Sequence, residues 1–167
     1  GGVWNDITDG QLRRITKFCE EMSESLKKYH ALVGENHIFV GRTANVGMMS
    51  KELCFDHGAT GPILRGSGVN WDLRKNRTYG LYKDLDFDII VGEGIKGQVG
   101  DCWDRYWVRM QEMHESIKII KQCLDGIEEG PIIGKVPKVI KIPEGEIYMR
   151  TECPRGELGY HLISNGG

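Results

Sequence analysis

No run of apolar residues in this 167-residue chain approaches the ~18 to 20 needed to cross a bilayer, and no basic segment followed by an apolar one opens it. The expectation is a chain that is neither secreted nor membrane-spanning. Charge of one sign is equally scarce: 22 Lys and Arg stand against 24 Asp and Glu, a formal net charge of −2 with the signs interspersed. Without a basic stripe or an acidic tail, nucleic acid is not an expected partner. Cysteine is sparse, at positions 19, 54, 102, 123 and 153, with no C-x-x-C pair and no histidine at zinc spacing. That excludes a disulfide framework and a zinc knuckle, and leaves reduced, mostly buried thiols in a cytoplasmic setting. His114-Glu115 lacks the second histidine of a zinc-protease helix, and Asn76-Arg77-Thr78 fits a glycosylation sequon that is expected to be an accidental match.

Helical periodicity is what the chain has instead. Apolar residues at 12, 15, 18, 19, 22, 26, 29, 32 and 33 recur at three and four, with Thr8 and Gln11 in capping-box register, which predicts a long helix over 9–33 stopped at Gly34. A short helix fits Lys51 to His57, with Ser50 as N-cap and Gly58 just past its end. Asp101 caps a second long helix carrying Trp103, Tyr106, Trp107, Met110, Met113, Ile117, Ile120 and Leu124, and Gly126 ends it. Arg105, Arg109, Glu112 and Gln122 occupy its opposite face. Two helices of this length define a helical core lying antiparallel, and neither stripe needs a ligand to explain it.

After Pro131 the texture changes to short strand-like runs, 136–143, 146–151 and 157–164, separated by Pro-Glu-Gly and Pro-Arg-Gly turns. Helices first and strands later give an α+β, mainly helical fold, with 1–130 as a helical core segment and 131–167 as a short β segment of one truncated domain. The opening Gly1-Gly2-Val3 and the strand-like run that stops at Gly167 suggest a fragment of a longer protein.

Two places invite a functional reading. Residues 58–75 hold glycines at 58, 61, 66 and 68 and a proline around Arg65, Asp72, Arg74 and Lys75, with little periodicity. Glu152-Cys-Pro-Arg155-Gly-Glu157 is a second arginine and acid grouping. Each is either a structural ion-pair clamp or part of a redox or substrate site, since the planar guanidinium suits a partly buried carboxylate. The decoy is Gly92-Glu-Gly94-Ile-Lys-Gly97, a literal G-x-G-x-x-G after a strand-like Leu85-to-Val91 run. A dinucleotide fold needs an acid ending a second parallel strand about 20 residues on, and here that position lies inside the second long helix, so a connector is the better reading.

Ile38-Phe39-Val40-Gly41-Arg42-Thr43 with Val46-Gly47, then Thr60-Gly-Pro-Ile-Leu-Arg-Gly-Ser-Gly-Val-Asn-Trp-Asp-Leu-Arg-Lys75, then Gly100-Asp101-Cys-Trp-Asp-Arg-Tyr-Trp-Val-Arg-Met, and Pro154-Arg-Gly-Glu-Leu-Gly-Tyr160, follow one another in order along nearly the whole chain. Together they resemble the quinone-site subunit family of proton-translocating NADH:quinone oxidoreductases, respiratory complex I. The resemblance implies a fold shared with nickel–iron hydrogenase large subunits and a place among the peripheral-arm subunits of an NADH-oxidising, NAD-binding complex, on the cytoplasmic side of the inner membrane. It also implies contact with the neighbouring protein that holds the terminal iron–sulfur cluster, and quinone reduced in the cleft between them.

The family's headgroup-binding histidine and tyrosine align before Gly1 and other cavity residues after Gly167. No catalytic, cofactor-binding or metal-binding residue therefore carries over, no cofactor is expected on this chain, and the fragment alone is expected to be inactive. Arg65, Asp72, Arg74, Arg155 and Glu157 are the candidates for supporting the quinone site from behind. The short Gly134-to-Pro143 stretch stands where many members have a helical insertion. The alternatives are the large subunit of a membrane-bound energy-converting nickel–iron hydrogenase, from which Gly66 departs where those proteins more often resemble Arg-Ala-Ser-Gly, and a non-catalytic assembly module.

Overall fold

The computed structural model describes residues 4–137 and 139–166. α1 (Asp9–Tyr29) begins on the expected capping box: Gln11 N donates to Thr8 Oγ1 at 3.3 Å and Thr8 N donates to Gln11 Oε1 at 2.8 Å. It runs on into one π-helical turn, His30–Gly34, so the 9–33 helix is an α-helix with a wider last turn. Then come α2 (His37–Thr43), capped by Asn36, and α3 (Lys51–Asp56), whose Ser50 side chain accepts from Leu53 N as expected. The glycine-rich segment, aperiodic in sequence, contains two short helices, α4 (Gly61–Gly66) and α5 (Leu73–Asn76). They escape periodicity because neither is long enough to show it.

α6 (Cys102–Asp125) opens on Asp101, whose Oδ1 accepts from Asp104 N at 2.8 Å, and ends at Gly126. Its first turns meet the end of α1: the Trp107 ring lies 5.2 Å from that of His30, and Trp103 Nε1 donates to Gly34 O at 3.3 Å. Farther along, Cys19 and Leu26 of α1 share a buried seam with Met110 and Ile117 of α6. The two helices therefore run antiparallel. Full burial of such side chains contributes about 1.5–3 kcal/mol each.

β1 (Gly145–Cys153) and β2 (Gly156–Ser164) form an antiparallel hairpin in which Glu152 faces Glu157 and Cys153 faces Gly156. The strand expected over 136–143 does not form: residues 136–137 and 139–143 are irregular, and Lys138 lies outside the described residues. Pro137 and Pro143 remove two donors that a ladder would use. The run 85–91 is not a strand either. Its backbone bonds to α6 side chains, with Asp86 N donating to Gln122 Oε1, Gln122 Nε2 returning to Asp86 O, and Asp88 N donating to Glu115 Oε2. All five cysteines are free; Cys19 and Cys54 are buried, but Cys123 is exposed. Among the described residues no helix is long and apolar enough to cross a membrane.

Candidate functional site

The site is built around one buried guanidinium. Gly61 opens α4 at φ +63° with its Cα so close to Gly156 that any Cβ would collide with that residue's backbone, and Pro62 occupies the first turn. The helix delivers Arg65, only 2% exposed, between α6 and β1. Its Nε donates to Glu112 Oε1 at 2.6 Å, and its Nη1 donates to Glu152 Oε1 at 2.8 Å and to Trp71 O at 3.0 Å. Asp72 Oδ2 lies 3.5 Å from the same Nη1. The other oxygen of Glu152 accepts from Leu73 N at 3.1 Å and so fixes the start of α5.

Asp72 caps α5 and takes Arg74 in a fork: Nη2 reaches Oδ2 at 2.6 Å and Nε reaches Oδ1 at 3.0 Å. Arg74 also lies 5.0 Å above the Phe87 ring. Burial opposes the Arg65 charge, yet Glu112 and Glu152 outweigh it and hold its pKa above the ordinary arginine value. Burial likewise opposes the Asp72 carboxylate, but Arg74 keeps it below the usual range. At Glu112 burial wins over Arg65, and the carboxyl is pushed up. Beside this cluster lies a groove of about 540 Å³ whose wall includes Arg65, Arg74, Arg109, Glu112, Glu152 and Cys153.

Of the residues singled out in the sequence, Arg65, Asp72 and Arg74 come together here. Arg155 does not: it is exposed on the hairpin turn and takes part in none of the ion pairs among the described residues. Glu157 also lies off the groove wall, paired with Arg150 at 3.2 Å while its N–H donates to Thr60 Oγ1 at 3.0 Å. Glu112 and Glu152 are the two partners that hold Arg65. In the sequence Glu152 is visible only as one member of an acid grouping, and nothing marks Glu112 as reaching across 47 positions.

The G-x-G-x-x-G run is a structural tie. Gly92 N donates to Arg65 O at 2.8 Å, Gly94 N donates to Asp104 Oδ2 at 2.9 Å, and a Cβ on Gly92 would collide with Gly66 O. Asp104 is fully buried, and burial with the nearby Asp101 charge pushes its carboxyl up against the pull of the Gly94 N–H. Among the described residues no three His, Cys, Asp or Glu side chains gather in a way that would hold a metal ion.

The sequence profile described as "Respiratory-chain NADH dehydrogenase, 49 Kd subunit" matches residues 1–141. The chain belongs to this family. It is 45% identical over 167 residues to the NADH-quinone oxidoreductase D subunit of Bacillus cytotoxicus, covering 99% of the chain and 44% of that relative. Against the D subunit of Desulfotalea psychrophila the identity is 47% over 168 residues, again 44% of the relative. The chain thus spans less than half the length of these curated members. Among solved structures it is similar to a chain of the archaeal membrane-bound sulfane sulfur reductase, a respiratory membrane complex, with 36% identity and a TM-score of 0.89 over the whole chain and 45% of that neighbour.

Proposed function

We propose that this chain forms the framework behind the quinone site in the corresponding subunit of an NADH:quinone oxidoreductase. The observation that carries the reading is the end-to-end agreement with NADH-quinone oxidoreductase relatives at about 45% identity. On this proposal electrons come from an iron–sulfur cluster held by the adjacent peripheral-arm protein, and quinone takes two electrons and two protons in the cleft between the two. Proton translocation follows elsewhere in the complex. The assembly sits at the cytoplasmic face of the inner membrane, with the hydrogenase-large-subunit-like fold the family resemblance implies.

What these residues supply is positioning. Arg65 and Arg74 are locked onto fixed carboxylates, so they hold α4, α5, α6 and β1 in one geometry rather than carrying protons to a headgroup. A second reading follows from the structural neighbour, which is a sulfane sulfur reductase. The purified complex containing the full-length protein separates the two. NADH-driven reduction of a soluble quinone with little reduction of polysulfide is expected; the opposite preference sinks the quinone reading. Arg74→Gln in that complex is expected to slow quinone reduction on the order of tenfold, the equivalent of about 1.4 kcal/mol of lost positioning, while NADH:ferricyanide activity stays unchanged.

A further inference from the structure

Arg109 stands on the groove wall with no anion of its own. Its Nη1 donates to Arg105 O at 2.6 Å, and it takes part in none of the ion pairs among the described residues. The carboxylates around it already hold other groups, Glu112 through one of its two oxygens. Glu112 Oε1 holds Arg65 Nε, both oxygens of Glu152 are bonded to Arg65 and Leu73 N, and Asp72 is forked by Arg74. The groove wall itself carries three guanidinium groups against two carboxylates, and Asp72, which would balance the count, stands off that wall behind Arg74. Arg109 is exposed along the groove and so free to take a partner, while partial desolvation at the wall, reinforced by Arg105 and Arg65 and only partly offset by Glu112, holds its pKa below the ordinary arginine value.

The curated relatives are more than twice as long as this chain, so in a full-length protein more than half the polypeptide lies outside it and is free to pack on it. Any apolar cover laid over the groove would strand an unpaired guanidinium out of water, which is costly, whereas a carboxylate would match its planar fork. A segment of the same polypeptide is tethered and so present at high effective concentration. We infer that the groove is a carboxylate-binding subsite, filled by an Asp or Glu side chain from the part of the same polypeptide outside these 167 residues, which pairs with Arg109.

The test uses the full-length protein in its intact complex. With Arg109→Lys in place, a zero-length carbodiimide is applied and the linked peptides are read by mass spectrometry. A bond from position 109 to an Asp or Glu of the same polypeptide outside this chain is expected, and it should vanish in Arg109→Gln. A bond only to Glu112 or Glu152, a bond to another protein of the complex, or no bond overturns the inference. Should Arg109→Lys fail to assemble, phenylglyoxal footprinting of the unmodified complex decides: Arg109 is expected to react at least tenfold more slowly than free arginine, and equal reactivity refutes a covered ion pair. Both readouts locate a contact and are indifferent to which acceptor the complex reduces, so they stand or fall apart from the quinone reading.

Discussion

Replacing Arg65 with methionine removes one guanidinium and strands the charges that surround it. Asp72 is 1% exposed, and the side chains of Glu152 and Glu112 are 5% and 18% exposed, so none regains full hydration. Breaking a buried pair by deleting one partner costs about 3–5 kcal/mol, because the remaining charge stays buried. That is a large share of the roughly 5–15 kcal/mol that stabilises an ordinary domain. At about 2–4 °C per kcal/mol for a chain of this size, the thermal midpoint should fall by roughly 6–20 °C. The pH dependence is the sharper check. Burial already pushes the Glu112 carboxyl up, and losing Arg65 pushes it higher. An acid whose folded pKa exceeds its unfolded value of about 4.3 binds its proton more tightly when folded, so its penalty is absent below the unfolded value and complete once pH passes the folded one. Asp72 shifts the opposite way, and its contribution is lost only as pH falls through its depressed folded pKa, below the usual carboxylate value of about 3.9. The Arg65→Met deficit, followed by circular dichroism melts, should therefore shrink between pH 8 and pH 5, with Arg65→Lys intermediate. A loss under about 1 kcal/mol at pH 8, or a deficit that widens on acidification, would refute the clamp.

Two further substitutions test the tie between the 92–97 loop and α6. Gly92→Ala forces a Cβ against Gly66 O and to 2.6 Å from Asp104 Oδ2, and overpacking of this kind should cost about 1–3 kcal/mol; an unchanged urea midpoint would show that the loop yields freely. Asp104→Asn keeps the shape but removes a buried carboxyl whose raised pKa makes it destabilising as pH climbs above about 4, so the variant should lose that part of the pH dependence while changing by less than about 1 kcal/mol at neutrality. A stability profile parallel to the unmodified chain from pH 4 to 7 would count against the shift.

Local signals carried most of the helical fold. Thr8 with Gln11, Ser50 and Asp101 act as caps where they were expected, and Gly58 at φ +61° follows α3 as an αL residue should. The 85–91 run misled because its strand-like composition serves a different end: Phe87 is buried while Asp86 and Asp88 bond to α6 side chains, so no second strand is needed. Arg155 misled because adjacency to two acids in sequence is not adjacency in a hairpin. The turn projects it outward, and Glu157 finds Arg150 on the neighbouring strand instead. The Arg65 cluster was half legible. Constrained backbone marked the arginine, but its carboxylates come from 47 and 87 positions away, and no local pattern encodes such a meeting.

α6 explains why the sequence could show a stripe and still hide the site. Its apolar residues face α1, which is the ordinary logic of an amphipathic helix. The polar residues opposite would by the same logic face water, yet they are committed in turn along the helix. Asp104 holds the 92–97 loop, Arg105 donates to Gly100 O and Gly47 O, Glu112 holds Arg65, and Gln122 closes on Asp86. A helix contacted on its polar side as well as its apolar one keeps little solvent face, and its charges become fixed partners rather than solubilising groups. That is why the glycine-rich segment needed its close approach at Gly66, whose missing Cβ would lie 2.8 Å from Arg105 Cγ. The rigidity belongs to the helix and the loop jointly. Arg109 is the member of that polar series whose committed partner these residues do not supply, which is the physical ground for seeking a carboxylate in the longer polypeptide.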